Sequence, residues 1–331
     1  MNTLVKPQNL KVKPDSGIHN LEYNRRKPDS GSFPLLTKIG KVKNSLLVLL
    51  LSFLILTRLA EARAKQVGVN EHKQVIICFD DGYYAIYKYA YPILKRYNIP
   101  ITSAFITSYV TPGRPRHSAN SYLYMNQGEI QEMIDSIGME VASHSVIHRD
   151  LTKLDDVQAK YELTNSKKIL DSLFKQDIIT FVYPYGRVNH RIIDLTKASG
   201  YKLGRTIRWG EPNLWVDKFL IPIKEVRMST SIQEVLKHIK HHNTTVLLFH
   251  RILPQPSVFT EWSQSQFNQL LAALTKEEIE FVTLKDLYLK WWQETMTKYL
   301  AQKGWLQTNN AVLFQKIDVD KIRTFYPHIS Q

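Results

Sequence analysis

The sequence predicts an α/β fold built on a parallel sheet that is either closed as a barrel or open. From Gln74 onward, short apolar runs alternate with segments whose apolar residues recur at helical spacing. The first run, residues 75–79, is rich in β-branched residues and has no polar alternation. This pattern indicates a strand buried on both faces, as in parallel sheets. No internal repeat is evident.

The alternation defines the individual elements. The predicted strands span residues 74–79, 101–106, 140–143, 178–183, 201–207, 223–228, 245–249 and 280–283. The predicted helices span residues 84–97, 128–137, 155–174, 189–198, 232–242, 263–275 and 284–297. Proline and glycine mark several of the boundaries, because proline cannot continue a helix and glycine accepts the left-handed conformation that ends one.

The N-terminal region differs from the rest. Residues 1–44 are polar and basic without periodicity, which predicts disorder. Residues 45–64 are expected to form a signal peptide or membrane anchor, because residues 46–56 are apolar apart from Ser52 and two Ala-x-Ala sites follow. An eleven-residue run is short for a spanning helix, which needs about 20 residues. We therefore expect export to the periplasm, an outward-facing membrane anchor if the segment is uncleaved, or secretion.

The charge distribution and the cysteine content limit the kinds of partner and cross-link that we expect. The net charge is +14, of which residues 1–73 carry +8, so the basic excess concentrates before the export-like segment. A basic tail in that place does not predict a nucleic-acid partner. The single cysteine, Cys78, excludes an intrachain disulfide and lies within a predicted core strand. Residues 65–73 are predicted to be a linker to a catalytic domain over residues 74–290.

Polar residues follow the predicted strands where each one ends. Asp80 and Asp81 come after the first strand, and ligands collect at the carboxyl ends of parallel strands. Two adjacent carboxylates repel each other unless one binds a cation or a proton. Alone, this pair is better interpreted as a hydrated turn at Gly82.

Three further strand ends change that interpretation. His144 and His148 are four residues apart, a spacing that lets both imidazoles reach one ion, and His250 follows a later strand. The segment 183–186 is a Tyr-Pro-Tyr-Gly turn. Each feature alone has an ordinary structural explanation. Together they place a metal site with open positions, a candidate base and a candidate acid on one rim.

Four motifs in this order resemble the polysaccharide deacetylase family with the NodB homology domain, carbohydrate esterase family 4. They are Phe-Asp-Asp-Gly at 79–82, His-Ser-x-x-His at 144–148, Tyr-Pro-Tyr-Gly at 183–186 and Leu-Phe-His at 248–250. The resemblance covers about residues 74–290. It implies a distorted (β/α) barrel of parallel strands (NodB-like) and metal-dependent removal of acetyl groups from glycans.

The resemblance also implies roles. Asp80 matches the catalytic base and His250 the catalytic acid. Tyr185 matches the residue whose backbone N–H binds the oxyanion, and Tyr183 is grouped with it on the substrate side. The residues that match the metal ligands, for one divalent ion and most naturally zinc, are Asp81, His144 and His148.

The sequence departs from the family in two supporting features, one of which is the usual Asp/Trp fourth motif, which is not clear here. Many members carry an arginine that orients the base where this chain has Val182. The form of segment 181–186 looks more like the poly-N-acetylglucosamine deacetylase branch. Arg208, Trp209 and Arg227 are candidates for the missing supporting roles. Residues 291–331 are predicted to be a C-terminal extension and show no chemistry of their own.

The expected function is N-deacetylation of a cell-surface or extracellular polysaccharide. Poly-N-acetylglucosamine, chitin-like chains and peptidoglycan all remain open as substrates. A non-haem iron oxygenase also uses two histidines and a carboxylate, but it has no use for the extra Asp80. A non-catalytic glycan-binding module on the same fold is the other alternative, and the joint presence of Asp80 and His250 argues against it.

Overall fold

The computed structural model describes residues 73–113, 116 and 122–303. The segments predicted to be disordered and to form a signal or anchor, residues 1–44 and 45–64, lie outside the described residues. Most of the predicted linker and residues 304–331 also lie outside them.

Ten strands and nine α-helices make up this part of the chain. The strands are β1 (Lys73–Phe79), β2 (Thr102–Phe105), β3 (Glu140–Ser143), β4 (Thr180–Val182), β5 (Leu203–Trp209), β6 (Ile221–Glu225), β7 (Thr244–Phe249), β8 (Arg251–Leu253), β9 (Glu261–Ser263) and β10 (Ile279–Phe281). The helices are α1 (Tyr91–Tyr97), α2 (Thr107–Val110), α3 (Gln127–Ile137), α4 (Asp156–Phe174), α5 (His190–Ala198), α6 (Leu214–Asp217), α7 (Ile232–His241), α8 (Gln264–Leu274) and α9 (Leu284–Gln302).

The sheet is a closed parallel barrel. Strands β1 to β7 pair in sequence order, and β7 returns to pair with β1 along residues 74–79. Each pairing in this sheet is parallel, so the carboxyl ends of its strands meet at one end of the barrel. The structure confirms the predicted parallel-strand barrel and decides for closure over an open sheet.

Strand β10, the eighth strand of this sheet, distorts the barrel. On one edge of β1, Cys78 and Phe79 pair with β2, whereas Lys73 to Val75 pair with β10. The strands β1 and β2 therefore separate at their N-terminal ends, and β10 fills the gap. The main-chain donors and acceptors exposed by this separation are paired by the inserted strand, which a buried backbone requires.

Two apolar clusters arise from the period-two alternation of the strands. In β1, Ile76 and Cys78 join a cluster with inward residues of β5, β6 and β7, while Ile77 and Phe79 join the layer beneath the helices. Helix α9 contributes Leu284 and Tyr288 to the inner cluster. This helix therefore closes the N-terminal end of the barrel. The polar residues that follow the strands lie at the opposite, carboxyl end.

The structure differs from the predicted elements in several places, including the short helices α2 and α6, which were not predicted. The predicted helix 84–97 begins with a π-helical turn over Ile86–Ala90 before α1. The short pair β8–β9 was not predicted. Helix α9 runs to Gln302, beyond the predicted end of this helix at residue 297.

Within residues 73–113, 116 and 122–303, no helix combines the length and apolar character needed to cross a bilayer.

Candidate active site

The predicted site residues meet at the carboxyl end of the barrel. Asp80 and Asp81 follow β1, His144 follows β3 and His250 follows β7. The backbone N–H of Asp80 donates to the carbonyl of Phe249 at 3.1 Å, which sets the ends of β1 and β7 side by side. Asp80 and His250, 170 positions apart in the chain, therefore lie on the same part of the rim.

Three side chains form a compact cluster. The Asp81 Oδ1 atom lies 3.5 Å from His144 Nε2 and 3.6 Å from His148 Nε2. The two Nε2 atoms are 3.1 Å apart, and one ligand atom from each residue lies within 4.8 Å of the others. Two imidazoles and one carboxylate are a zinc-type donor set that leaves coordination positions open.

The tautomer of His144 is fixed by its surroundings. Its Nδ1 lies 2.7 Å from the carbonyl oxygen of Val182, and because a carbonyl only accepts, Nδ1 carries the proton. Its other ring nitrogen, Nε2, faces His148 and Asp81. A second hydrogen bond of this kind typically orients a metal-ligating histidine, so the residues fit a divalent ion.

The loop that carries His148 has an energetically unfavourable backbone conformation. Ser145 and His148 have φ angles of 68° and 60°, which non-glycine residues seldom adopt. The Ser145 hydroxyl accepts from the His148 N–H at 2.9 Å. The buried Glu162 carboxylate of α4 accepts from the N–H groups of Val146 and Ile147 at 2.8 and 3.1 Å. These bonds offset the backbone strain.

The local electrostatics keep the cluster in its ligand form. Burial, and then the charge of His144, lower the pKa of His148 to about 4, so its imidazole is neutral at pH 7. Burial alone would raise the pKa of Asp81, but the hydrogen bond from His144 and the charges of the neighbouring histidines outweigh it and hold the pKa well below its usual range. Both shifts favour the protonation states that a cation requires.

Asp80 lies beside the cluster and has a different partner. Its carboxylate accepts a hydrogen bond from Nη2 of Arg205, and both side chains are buried. Sequence reasoning missed Arg205, whose partner is 125 residues away in the chain. The available signal was an arginine two residues after Leu203, at an alternate position of the predicted strand 201–207, since a charge buried there needs a partner.

The predicted supporting residues lie elsewhere. Trp209 is 70% exposed and packs against His238 and His242. Arg227 pairs with Glu225 at 2.6 Å, and Arg208 is exposed at the end of β5. The cause is the register of β5, which turns Arg205 into the barrel before a register irregularity leaves residues 207–209 outside. Arg205 makes the contact that these three were predicted to supply.

Tyr183 also needs correction. Its side chain is 0% exposed, with its ring packed on Phe181. A Cβ at Gly204 would lie 2.5 Å from its hydroxyl oxygen, so glycine is required for this close approach. Tyr183 is a core residue and does not face a substrate.

Tyr185 lies at the rim, as predicted. It has a φ angle of 59°, its side chain is 54% exposed, and its ring centroid is 4.6 Å from that of His148. The turn closes tightly, because the Gly186 N–H donates to the Tyr183 carbonyl at 2.8 Å. His250 is half-buried, and its Nδ1 has no hydrogen-bond partner among the residues that the structure describes.

A tyrosine-lined cavity opens next to these residues. Its volume is about 260 Å³, and its lining includes Tyr83, Tyr84, Tyr89, Tyr122 and Arg251. The Arg251 guanidinium stacks 4.0 Å from the ring centroid of Tyr122. Because Tyr83 follows Asp81 by two residues and Arg251 follows His250 directly, the cavity adjoins the rim.

Comparison with known proteins finds similarity to one family over part of the chain. Residues 68–204 match the model described as polysaccharide deacetylase. These residues are therefore similar to the polysaccharide deacetylase family. The matched part of the chain contains Asp80, Asp81, His144, His148 and Tyr185. It stops before Arg205 and His250, whose places at the site are given by the structure.

Two curated relatives share this part of the chain. YxkH of Bacillus subtilis (strain 168), whose name places it among the polysaccharide deacetylases, is 31% identical over 157 residues, 47% of this chain and 52% of that protein. The poly-beta-1,6-N-acetyl-D-glucosamine N-deacetylase of Staphylococcus aureus (strain N315) is 31% identical over 148 residues, 42% of this chain and 50% of that protein. The chain thus spans about half the length of these relatives.

Among solved structures, the Streptococcus pyogenes deacetylase PplD in complex with acetate is 28% identical, with a TM-score of 0.45. The similarity covers 50% of this chain and 69% of that one.

Proposed function

We propose that the protein is a metal-dependent hydrolase that removes N-acetyl groups from a cell-surface or extracellular polysaccharide. The observation that carries the proposal is the convergence of the Asp81, His144 and His148 donor atoms beside a buried Asp80 on one barrel rim. The match of residues 68–204 to the polysaccharide deacetylase model supports it.

The residues that would hold the ion are Asp81, His144 and His148, and their donor types suit zinc. A divalent ion bound there supplies Lewis-acid polarisation of the acetyl carbonyl and lowers the pKa of water. The chain's own contribution at this point is to keep Asp81 ionised and His148 neutral, as the pKa directions of these two residues indicate.

The remaining rim residues divide the proton transfers. Asp80 accepts a proton from the water whose oxygen attacks the acetyl carbon. The backbone N–H of Tyr185 donates to the carbonyl oxygen as negative charge develops there. His250 gives a proton to the leaving nitrogen as the C–N bond breaks, so that acetate and a free amine result.

The substrate is proposed to be a glycan of N-acetylhexosamine units. One relative is named for poly-beta-1,6-N-acetyl-D-glucosamine, and the tyrosine-lined cavity offers flat amphipathic rings beside the rim. This substrate is the first choice of a panel that also includes chitin oligomers and peptidoglycan.

Acetate release by the full chain tests the proposal. We expect release from at least one glycan of the panel, loss of release with a chelator, and recovery on adding zinc. Asp80→Asn should lower turnover about 10²–10⁴-fold with metal still bound, because the amide keeps the shape but accepts no proton. Asp194→Asn, on the exposed face of α5, is the matched control.

Two outcomes contradict the proposal. Full acetate release by Asp80→Asn would remove the assigned base. Glycan binding by the wild-type chain without acetate release from any substrate would favour a binding module.

A further inference from the structure

We infer that Arg205, on strand β5, is the positioning residue of Asp80. The inference rests on the proposed function, because it assigns Asp80 the role of base. It concerns the orientation of Asp80 and leaves the metal ligands to their own contacts.

The first support is the isolation of the pair. Arg205 is 0% exposed, and its Nη2 donates to Asp80 Oδ1. Its other described bond runs from Nη1 to the Thr206 carbonyl at 3.3 Å, and its Nε has no partner among the described residues. Asp80 is thus the only carboxylate hydrogen-bonded to this buried guanidinium within the described part of the chain. A buried charge left without its partner is strongly unfavourable, so the pair holds both side chains in place.

The second support is the strand register. Val182 of β4 is the direct neighbour of Arg205 in β5, and side chains paired in this way project from the same face of a sheet. Val182 forms a small buried cluster with Ala104 and Ala142. These short side chains leave room inside the barrel for one long side chain. An arginine at position 182 would enter the same space from the adjacent strand.

The third support is the backbone around this register pair. The Val182 carbonyl accepts the proton of His144 Nδ1 at 2.7 Å, while the N–H of Tyr183 donates to the Arg205 carbonyl at 3.1 Å. The paired residues Val182 and Arg205 therefore act on different groups. The Val182 carbonyl orients His144, a proposed metal ligand, and the Arg205 side chain orients Asp80, the proposed base. Replacing the Arg205 side chain leaves the backbone bond to His144 in place.

The test exchanges the two residues of the register pair. We compare kcat, KM, zinc affinity and thermal stability for the wild type, Arg205→Val, Arg205→Lys, and the double variant Arg205→Val with Val182→Arg. Arg205→Val should lower kcat about 10²-fold, the size expected when a reacting group is misplaced by about 1 Å. Zinc affinity and KM should stay near the wild-type values. Arg205→Lys should lie between the two, because an ammonium lacks the planar fork.

The double variant, Arg205→Val with Val182→Arg, shows whether an arginine on the neighbouring strand can orient Asp80. If Arg205 acts by orienting Asp80, an arginine at position 182 should recover at least about tenfold in kcat over Arg205→Val. A double variant that regains wild-type thermal stability and zinc affinity without regaining kcat overturns the inference. Wild-type kcat in Arg205→Val also overturns it, while leaving the deacetylase activity established. Absence of acetate release by the wild-type chain overturns both.

Discussion

Glu162 lies outside the proposed reaction, yet it helps to determine the position of His148, a proposed metal ligand. Its buried carboxylate receives two backbone N–H groups from the loop that ends at His148. Without that acceptor, two donors lose their partner at a point where the backbone already has positive φ angles. The geometry of the donor cluster therefore depends on a residue of α4.

We predict that Glu162→Ala lowers zinc affinity about 10- to 100-fold, the range seen when a group supporting a metal ligand is removed. Competition with a chromophoric chelator measures the affinity, and circular dichroism checks that the chain is folded. Glu162→Gln, which keeps one acceptor oxygen, should retain most of the affinity.

Glu140→Gln provides the matched control, because Glu140 is a buried carboxylate at the other end of the barrel. It accepts from Thr102, Thr180 and the backbone of Lys285. We expect lower thermal stability with unchanged zinc affinity. Wild-type affinity in Glu162→Ala would show that Ser145 alone holds the loop.

At the residue scale, side chains just beyond the end of a strand are easier to predict from the sequence than side chains that point into the barrel. Asp81, His144 and His148 come after strands, at the ends where ligands gather, and the structure brings all three together. Arg205 lies within a strand, and its partner is not visible in a linear pattern. Tyr183 was placed on the substrate side because a strand-to-turn junction does not reveal which way a side chain points.

At the scale of elements, Trp209 was predicted to support the site, but in the structure it packs at the contact between β5 and α7. Trp209 at the end of β5 covers His238 and His242, whose ring centroids are 4.1 Å apart. Burial, followed by the charges of His242 and Lys224, lowers the pKa of His238 to about 4, with smaller influences from Glu211 and His241.

This contact predicts a pH dependence of stability. Above pH 6.5, His238 is neutral in both the folded and the unfolded chain, so its packing contributes fully to the free energy of unfolding. As the pH falls from 6.5 to about 4, the unfolded chain binds a proton that the folded chain does not, so stability is lost. Below about pH 4 both forms are protonated and the loss levels off.

His238→Phe should remove this dependence while keeping a ring beneath Trp209. Between pH 6.5 and 4, the free energy of unfolding of the variant should fall less than that of the wild type. We expect a difference of about 1–2 kcal/mol, because one pKa unit corresponds to about 1.4 kcal/mol and solvent screens part of it. Denaturant titrations at several pH values measure it. Parallel pH profiles for the two proteins would contradict the assignment.

Element boundaries were predicted least well where the packing is unusual. Helix α9 continues to Gln302 because Trp291 and Trp292 pack against the inner cluster and Met296 is buried. In the sequence these residues stand among charged and polar neighbours without a clean helical stripe. The strand β10 is identified by its pairing with β1, which a local pattern of three residues does not reveal.

At the scale of the whole molecule, the barrel described here begins at Lys73, after the apolar run at 46–56. The basic residues before that run and the Ala-x-Ala sites after it are typical of an export signal. We propose that residues 45–64 direct the chain out of the cytoplasm or hold it at the membrane, where a polysaccharide substrate would be found.

A reporter fused after Lys65, active only outside the cytoplasm, tests this prediction. We expect activity with residues 1–65 and none when residues 46–56 are deleted. The deletion is the control, since it keeps the basic flank and both Ala-x-Ala sites. Equal reporter signals from the two fusions would contradict the export assignment.

The pairing of β1 with β7 has a consequence for how the chain becomes active during synthesis. Asp81, His144 and His148 all leave the ribosome well before His250. The neighbourhood of Asp80 and His250 depends on a strand pair between distant parts of the chain, and long-range pairing is the slow kind. The candidate metal ligands are therefore available early, whereas the proposed base and acid come together only when β7 docks. When only β1 to β4 have left the ribosome, the chain already holds Asp81, His144 and His148 but lacks His250, so the proposed reaction cannot yet take place.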